Sequence, residues 1–217
     1  MNGTTKTLER PPATAGPRGP RAPGRKTTFD RSSGDGPGAN TAAANPARVG
    51  VWLFVVAVTI LFAAFTNAYL SRRAAPDWQV GPLLPILWVN TVVLVLSSLA
   101  LEYARAHGSR EDAAGARLGL GAATALGTAF LIGQVVAWRA LAAAGIFMAS
   151  SPHSAYFYLL TGMHGLHLTG GVGGLFYALW KVHREPAAAQ VVLGPTAIYW
   201  HFVDVLWLYL FFILFWQ

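Results

Sequence analysis

The fold is decided by the long apolar run Val191–Trp216, which reads VVLGPTAIYWHFVDVLWLYLFFILFW and contains two ionisable residues, His201 and Asp204. A helix rises about 1.5 Å per residue, so roughly 20 apolar residues cross a hydrocarbon core about 30 Å thick. Membrane β-strands alternate apolar and polar residues over about ten positions, and this run does not alternate. It therefore predicts a transmembrane α-helix.

Four further apolar runs of similar length precede this one in the chain. They are Val49–Leu70, Pro82–Tyr103, Leu118–Ala144 and Ser154–Trp180. Over the whole chain, 54% of residues are hydrophobic and 12% are charged. A soluble domain carries about a quarter charged residues, so most of this surface is not expected to face water. We predict an all-α membrane protein whose residues 48–217 form a bundle of five transmembrane helices.

Residues 1–47 have a different composition, rich in Pro, Gly and Arg, without apolar residues at helical spacing. Such a composition predicts a disordered basic tail. The tail does not read as a secretory signal peptide, because no apolar stretch follows a short basic start. The chain has a net charge of +7, and half of its Lys and Arg lie in the first 48 residues. We expect an anionic lipid surface to be its partner, and no nucleic acid.

Basic residues in the short loops predict the orientation in the membrane. One side would hold Arg105, Arg110, Arg117, Lys181 and Arg184 together with the tail. The other side would hold Arg72, Arg73 and Arg139. Short loops rich in Lys and Arg remain in the cytoplasm. We therefore expect the N-terminus and the tail inside and the C-terminus outside.

Polar residues inside the last two runs are the candidate functional residues, since ionisable groups are costly in a membrane. His164 and His167 are three positions apart and share a helix face, and so do His201 and Asp204. Estimated depths match His164 with Asp204 and His167 with His201. We predict one interhelical polar cluster, made of Thr161, His164, His167, Tyr199, His201 and Asp204.

Two kinds of role are open to this cluster. It could be a metal site, since two His-rich pairs supply enough ligands for zinc or non-haem iron in a membrane enzyme. It could also be structural, because polar groups in lipid must pair and each pair fixes helix register. We favour the structural role and predict no catalytic, cofactor or metal residue in this chain. A small transporter is a further alternative, although paired repeats and broken helices are not evident. The absence of cysteine excludes iron–sulfur clusters and thiolate copper sites.

Two stretches resemble a known family. Tyr158–His167, followed by Gly170 and Gly171, is similar to the signature helix of subunit III of the haem–copper terminal oxidases. Tyr199–Tyr209 is similar to the last helix of that subunit. The resemblance to this cytochrome c oxidase subunit 3 family extends over about Val49–Gln217, and it points to the five-helix bacterial form.

The resemblance implies a non-catalytic, multi-pass subunit in the bacterial cytoplasmic membrane. The complex would reduce oxygen to water in aerobic respiration, with haem and copper held by partner subunits, the catalytic subunit I and subunit II. Subunit III would bind phospholipid and support proton uptake. An accessory subunit of a nitric oxide reductase or a quinol oxidase would share the same helices and remains an alternative.

The chain departs from the family at three positions where an acidic residue is expected. These positions are Val58, Ala137 and Gly194. A chain without these carboxyl groups has fewer sites that could carry protons through the membrane. We therefore expect a scaffolding role more than a proton-carrying one.

Overall fold

The computed structural model describes Gly3, residues 46–76, Trp78 and residues 85–215, and within these residues it contains helices and no strand. The five α-helices are α1 Pro46–Arg73, α2 Ile86–Gly108, α3 Ala113–Ala143, α4 Pro152–Arg184 and α5 Ala189–Phe215. A short 3₁₀ helix, Pro186–Ala188, precedes α5. Each predicted run falls on one helix, so the prediction of an all-α, five-helix fold is confirmed. The predicted tail lies outside the described residues, apart from Gly3 and from Pro46 and Ala47, which begin α1.

Four of the segments in the described part of the chain are long and apolar enough to cross a membrane. They are α1, α2, α3 and the segment Pro186–Phe215 that contains α5. Within the same residues α4 does not meet this criterion. Its 33 residues would extend about 50 Å, so its length suffices. Its glycines and its two central histidines, His164 and His167, lower the hydropathy of its central part.

Helices α2 to α5 form a closed arrangement in which each packs against the next and α5 returns to α2. α1 lies outside this ring, where it packs on α4 and α5. The core between the helices is apolar and includes the fully buried side chains of Leu94, Leu120, Leu168, Trp200 and Trp207. Each helix of the ring therefore buries a face against two neighbours, whereas α1 leaves much of its surface to lipid or to another protein.

Small residues bring α2 and α3 into their closest contact. A Cβ atom at Gly119 would lie 2.7 Å from the backbone nitrogen of Ala104 and 2.8 Å from the carbonyl oxygen of Ala100. One turn further along, the Ser97 hydroxyl donates a hydrogen bond of 2.8 Å to the carbonyl of Ala123. Since small interface residues let helix backbones approach, this pair forms a tight hairpin.

Glycines also make room for a large core side chain, Trp200 of α5. A Cβ at Gly127 of α3 would lie 2.5 Å from its indole ring, and a Cβ at Gly171 of α4 would lie 3.1 Å from it. The indole is fully buried between these two helices. The three helices therefore meet at one tryptophan.

The turns of the hairpins are fixed by helix caps. Asp112 caps α3 by accepting hydrogen bonds from the backbone nitrogens of Ala114 (3.1 Å) and Gly115 (3.0 Å). Ser151 caps α4 by accepting one of 3.1 Å from the nitrogen of Ser154. Such caps satisfy the free N–H groups of the first helical turn. Both connections can therefore stay short and lie at the ends of the bundle.

Candidate functional site

A continuous chain of polar contacts joins α2 to α5. The Ser98 hydroxyl donates to Oδ2 of Asp204 and lies 2.9 Å from Nδ1 of His201. On the other side of the imidazole ring, Nε2 of His201 lies 2.5 Å from Oε1 of Glu102. The same Glu102 oxygen also accepts a 2.5 Å hydrogen bond from Nη1 of Arg105. We call these five residues, Ser98, Glu102, Arg105, His201 and Asp204, the α2–α5 polar chain.

The α2–α5 polar chain leads from the surface to the interior. The side chains of Arg105 and Glu102 are exposed, near the end of α2. Asp204 is 6% exposed, and its Oδ1 atom has no hydrogen-bond partner among the described residues. Side chains of α2 thus bind the half-buried His201 and the buried Asp204 of α5, which suits a contact that fixes the register of two helices.

The sequence predicted the α5 residues of the α2–α5 polar chain but not its α2 residues. Ser98 and Glu102 are four residues apart, so they share one face of α2, as His201 and Asp204 share one face of α5. A search for polar pairs at this spacing on every helix would have found them.

His164 lies elsewhere, among aromatic side chains in the centre of the bundle. Its ring is fully buried, 6.0 Å from the ring of Phe130 and 5.1 Å from that of Trp207. Neither ring nitrogen has a hydrogen-bond partner among the described residues. The predicted pairing with Asp204 is therefore not formed, because Asp204 points to α2 while His164 points to α3 and to a different face of α5.

His167 faces α1. Its ring lies 6.0 Å from that of Phe54 and 5.7 Å from that of Phe62, and its Nδ1 lies 2.7 Å from the carbonyl of Met163. Tyr199 is close by, since its hydroxyl donates a 2.9 Å hydrogen bond to the carbonyl of His167. The predicted pairing of His167 with His201 is not formed within the described residues, because His201 is bound to Ser98 and Glu102 of α2 instead.

Thr161 belongs to a fourth location, between α3 and α4. Its hydroxyl donates to the carbonyl of Phe157 at 2.6 Å and accepts a 3.2 Å hydrogen bond from Nε1 of Trp138. The six residues predicted as one cluster are thus divided among four locations in the bundle. Two further polar contacts were not predicted at all: Asn90 with Gln134 (3.4 Å) and Trp207 with Thr91 (3.0 Å).

The positions of the histidines can be compared with what a zinc or iron site would require. Although His164 and His167 are three residues apart, the first contacts α3 and α5 and the second contacts α1. In the part of the chain that the structure describes, no three His, Cys, Asp or Glu side chains are grouped so that they could hold a metal ion. A zinc or iron site needs at least three protein ligands around one point.

The three positions without the expected acid have different surroundings. Val58 is 3% exposed and lies one turn from both Phe54 and Phe62, which contact His167. Gly194 lies under Arg48, since a Cβ there would be 3.1 Å from a terminal guanidinium nitrogen. Ala137 is fully buried in α3.

A group of three ring side chains, Tyr69, Trp78 and His153, lies at the opposite end of the bundle. The ring of Trp78 lies 5.3 Å from that of Tyr69 in α1 and 5.4 Å from that of His153 in the first turn of α4. Burial lowers the pKa of His153, and the positive charge of Arg73 lowers it further. This group therefore links Trp78 to α1 and α4 by packing.

With the arrangement of the helices established, comparison with known proteins identifies the family. The family model of cytochrome c oxidase subunit III matches residues 32–217, which include all five helices. The chain belongs to the cytochrome c oxidase subunit III family. The match begins before Val49, where we had expected the family resemblance to start.

Named relatives agree with this assignment to the subunit III family. Cytochrome c oxidase subunit 3 of Synechocystis sp. is 34% identical over 171 residues, which cover 75% of this chain and 72% of the relative. The subunit 3 of Thermostichus vulcanus is 30% identical, with 77% of this chain and 85% of the relative covered. That of Bacillus sp. strain PS3 is 28% identical, with 75% and 82% covered.

Proposed function

We propose that this chain is the non-catalytic subunit III of a haem–copper terminal oxidase in an aerobic respiratory chain. The observation that carries the proposal is the family match over residues 32–217, because it includes every helix of the bundle. In this role the chain packs against the catalytic subunit I and against subunit II. Those partners hold the haem and copper at which the complex reduces oxygen to water.

A scaffolding role is supported by the polar groups of the bundle. Val58, Ala137 and Gly194 have no carboxyl group, so three positions that could carry a proton are lost. The remaining ionisable groups of the last two helices lie at separate helix contacts, and His201 and Asp204 bind side chains of α2. Such contacts fix helix register. Any support of proton uptake would then come from the shape of the complex rather than from a relay along these three positions.

We propose that the chain lies in a bacterial cytoplasmic membrane with its N-terminus inside and its C-terminus outside. Five basic residues lie near the bundle end where α2 meets α3 and α4 meets α5: Arg105, Arg110, Arg117, Lys181 and Arg184. The opposite end has Arg72, Arg73 and Arg139. This asymmetry supports the orientation. The basic tail would then meet the anionic inner surface of the membrane.

Phospholipid binding is the further part of this proposal. An apolar cavity of about 260 Å³ lies between α1 and α5, with Phe62, Phe202 and Val205 among its lining residues. Another of about 420 Å³ lies between α2 and α5, lined by Trp88, Phe211 and Phe215 among others. Both open at the bundle surface, and their apolar walls suit the acyl chains of lipids.

The proposal is tested by purifying the tagged full chain from its own membranes in a mild detergent. Mass spectrometry would identify the proteins that accompany it, and an absorption spectrum would show haem. We expect a haem-containing subunit I and a subunit II to co-purify and the preparation to consume oxygen. A preparation that contains haem and reduces nitric oxide instead would assign the chain to a reductase. The absence of any haem protein, with the chain folded, would refute the proposal.

A further inference from the structure

A cavity of about 450 Å³ lies where the beginning of α1, the end of α2 and the beginning of α5 meet. Among its lining residues are Arg48 of α1, Glu102 and Arg105 of α2, and Gln190 and Gly194 of α5. It is open to the outside and lies at the ends of three helices. In a membrane protein this is the level at which the helices leave the hydrocarbon core.

The cavity carries more positive than negative charge. Its single acidic lining residue, Glu102, accepts contacts of 2.5 Å from both Arg105 and His201 on the same carboxylate oxygen. Arg48 has no hydrogen bond or ion pair with a carboxylate of the described residues. Two guanidinium groups thus share the cavity with one carboxylate that is already engaged.

Gly194 gives Arg48 its place in the cavity. The guanidinium nitrogens of Arg48 would lie 3.1 Å and 3.6 Å from a Cβ at position 194, so the group rests over bare backbone of α5. A longer side chain at 194 would occupy the same space. Because the residue here is glycine, α5 supplies neither a carboxylate for Arg48 nor a side chain to fill the cavity.

The donors around the cavity suit an anion with several oxygen atoms. The planar guanidinium groups of Arg48 and Arg105 can each donate two parallel hydrogen bonds to such an anion. The amide of Gln190 also lines the cavity and can donate. A phosphate group has the oxygen atoms and the charge to bind these donors together.

We propose that this cavity is a phosphate-group site, in which one phosphate bridges Arg48 of α1 to Arg105 of α2. The phosphate comes from a phospholipid head group or from free phosphate. Because α1 packs outside the ring of the other helices, the bridge attaches it to α2, with which it otherwise makes little contact. The site deepens the proposed lipid binding and rests on the proposed membrane location of the chain.

The test uses the purified full chain, stripped of lipid, and native mass spectrometry with three probes. The probes are phosphatidylglycerol, diacylglycerol, which lacks the phosphate, and inorganic phosphate as a competitor. We expect phosphatidylglycerol to bind and diacylglycerol to bind much more weakly. Arg48→Gln and Arg105→Gln should each weaken phosphatidylglycerol binding about tenfold, as expected for the loss of a charge-assisted contact.

Matched variants separate the cavity from general surface charge. Arg184→Gln removes a positive charge at the same end of the bundle, where Arg184 stacks over Trp180 outside the cavity, and should leave binding unchanged. Gly194→Glu should abolish binding, because its carboxylate would pair with Arg48. Gly194→Gln, of similar size without the charge, should weaken binding less.

The outcomes decide both the site and the source of the phosphate. If inorganic phosphate displaces the lipid, the phosphate group alone is sufficient. If it does not, and binding still depends on Arg48, the site belongs to a lipid head group. Equal binding of phosphatidylglycerol to the wild type, Arg48→Gln and Arg105→Gln would overturn the proposal. Thermal unfolding shows whether each variant is folded. If Gly194→Glu is unfolded, Arg48→Gln and Arg105→Gln alone test the proposal. Co-purification with a haem protein is measured separately, so either proposal can fail alone.

Discussion

At the scale of single residues, the hydroxyl of Ser98 holds both ionisable residues of α5, because it donates to Asp204 and contacts His201. We predict that Ser98→Ala lowers the free energy of unfolding by about 1–3 kcal/mol, since it leaves the buried carboxylate of Asp204 without its hydrogen-bond donor. The measurement is thermal unfolding in detergent. Ser109→Ala, at an exposed helix end, is the control and should change stability little. Equal stability of both variants would contradict the role of the polar chain.

His164 differs from Asp204 and His201, because neither of its ring nitrogens has a hydrogen-bond partner in the described part of the chain. We predict that His164→Leu, which removes both buried polar atoms at similar volume, keeps the stability of the bundle or raises it by about 1–3 kcal/mol. Unfolding experiments and elemental analysis of the purified protein check this. A large loss of stability, together with the loss of a bound metal, would favour the metal-site alternative.

Val58 stands where we expect an acidic residue in the subunit III family, and it lies one turn from each of the two phenylalanines that contact His167. We predict that a glutamate introduced by Val58→Glu pairs with His167. A double-mutant cycle with His167→Leu should then show a coupling free energy of about 1 kcal/mol in unfolding. The same cycle with His183→Leu, an exposed histidine near the end of α4, is the control and should show none. Additive effects of Val58→Glu and His167→Leu would contradict the pairing.

At the scale of elements, the hairpin of α2 and α3 depends on one glycine. We predict that Gly119→Ala destabilises the protein by about 1–3 kcal/mol, because its Cβ would meet backbone atoms of Ala104 and Ala100, which cannot move aside.

Gly121, two residues further along α3, provides the matched control. A Cβ there has no atom of the described structure within 4 Å. Gly121→Ala should therefore stabilise the helix by about 0.5–1 kcal/mol, since alanine is the better helix former. Thermal unfolding of the two variants should give shifts of opposite sign. Shifts of the same sign would mean that the close contact of α2 and α3 does not limit stability.

The fourth helix shows how an element can differ from its neighbours in composition and still belong to the bundle. α4 is long enough to cross the membrane, but its central part carries two histidines and several glycines. Its polar positions face α1, α3 and α5, and Gly171 receives Trp200. A helix whose polar groups are used against other helices can be less apolar than one that faces lipid.

At the scale of the whole molecule, the proposed orientation can be tested directly, because the chain contains no cysteine. Single cysteines can be placed at Ser109, in the turn after α2, and at Ser150, in the turn before α4; both positions are exposed. We predict that in intact cells a membrane-impermeant maleimide labels Ser150→Cys and leaves Ser109→Cys unlabelled.

Opening the cells should make Ser109→Cys reactive as well. This control shows that the membrane, and not burial within the protein, prevents its labelling in intact cells. Labelling of Ser109→Cys and protection of Ser150→Cys in intact cells would reverse the orientation. The family assignment does not depend on this result, because it rests on the match over residues 32–217.

The number of helices, their approximate bounds and the family could all be predicted from sequence patterns. Those properties follow from the lengths of the apolar runs and from motifs such as Tyr199–Tyr209, and neither depends on how the helices are rotated. Depth could also be estimated from the sequence, because each residue advances a helix by about 1.5 Å.

Only the tertiary structure decided which side chains meet. Each residue also turns a helix by about 100°, so two groups at the same depth can face different neighbours. His164 and Asp204 illustrate this, since the first faces Phe130 and Trp207 and the second faces Ser98. The rotation of each helix is set by packing over its whole length, including the glycines that seat Trp200 and the close contact at Gly119. Polar partners inside the bundle are therefore a consequence of the packing of all five helices together.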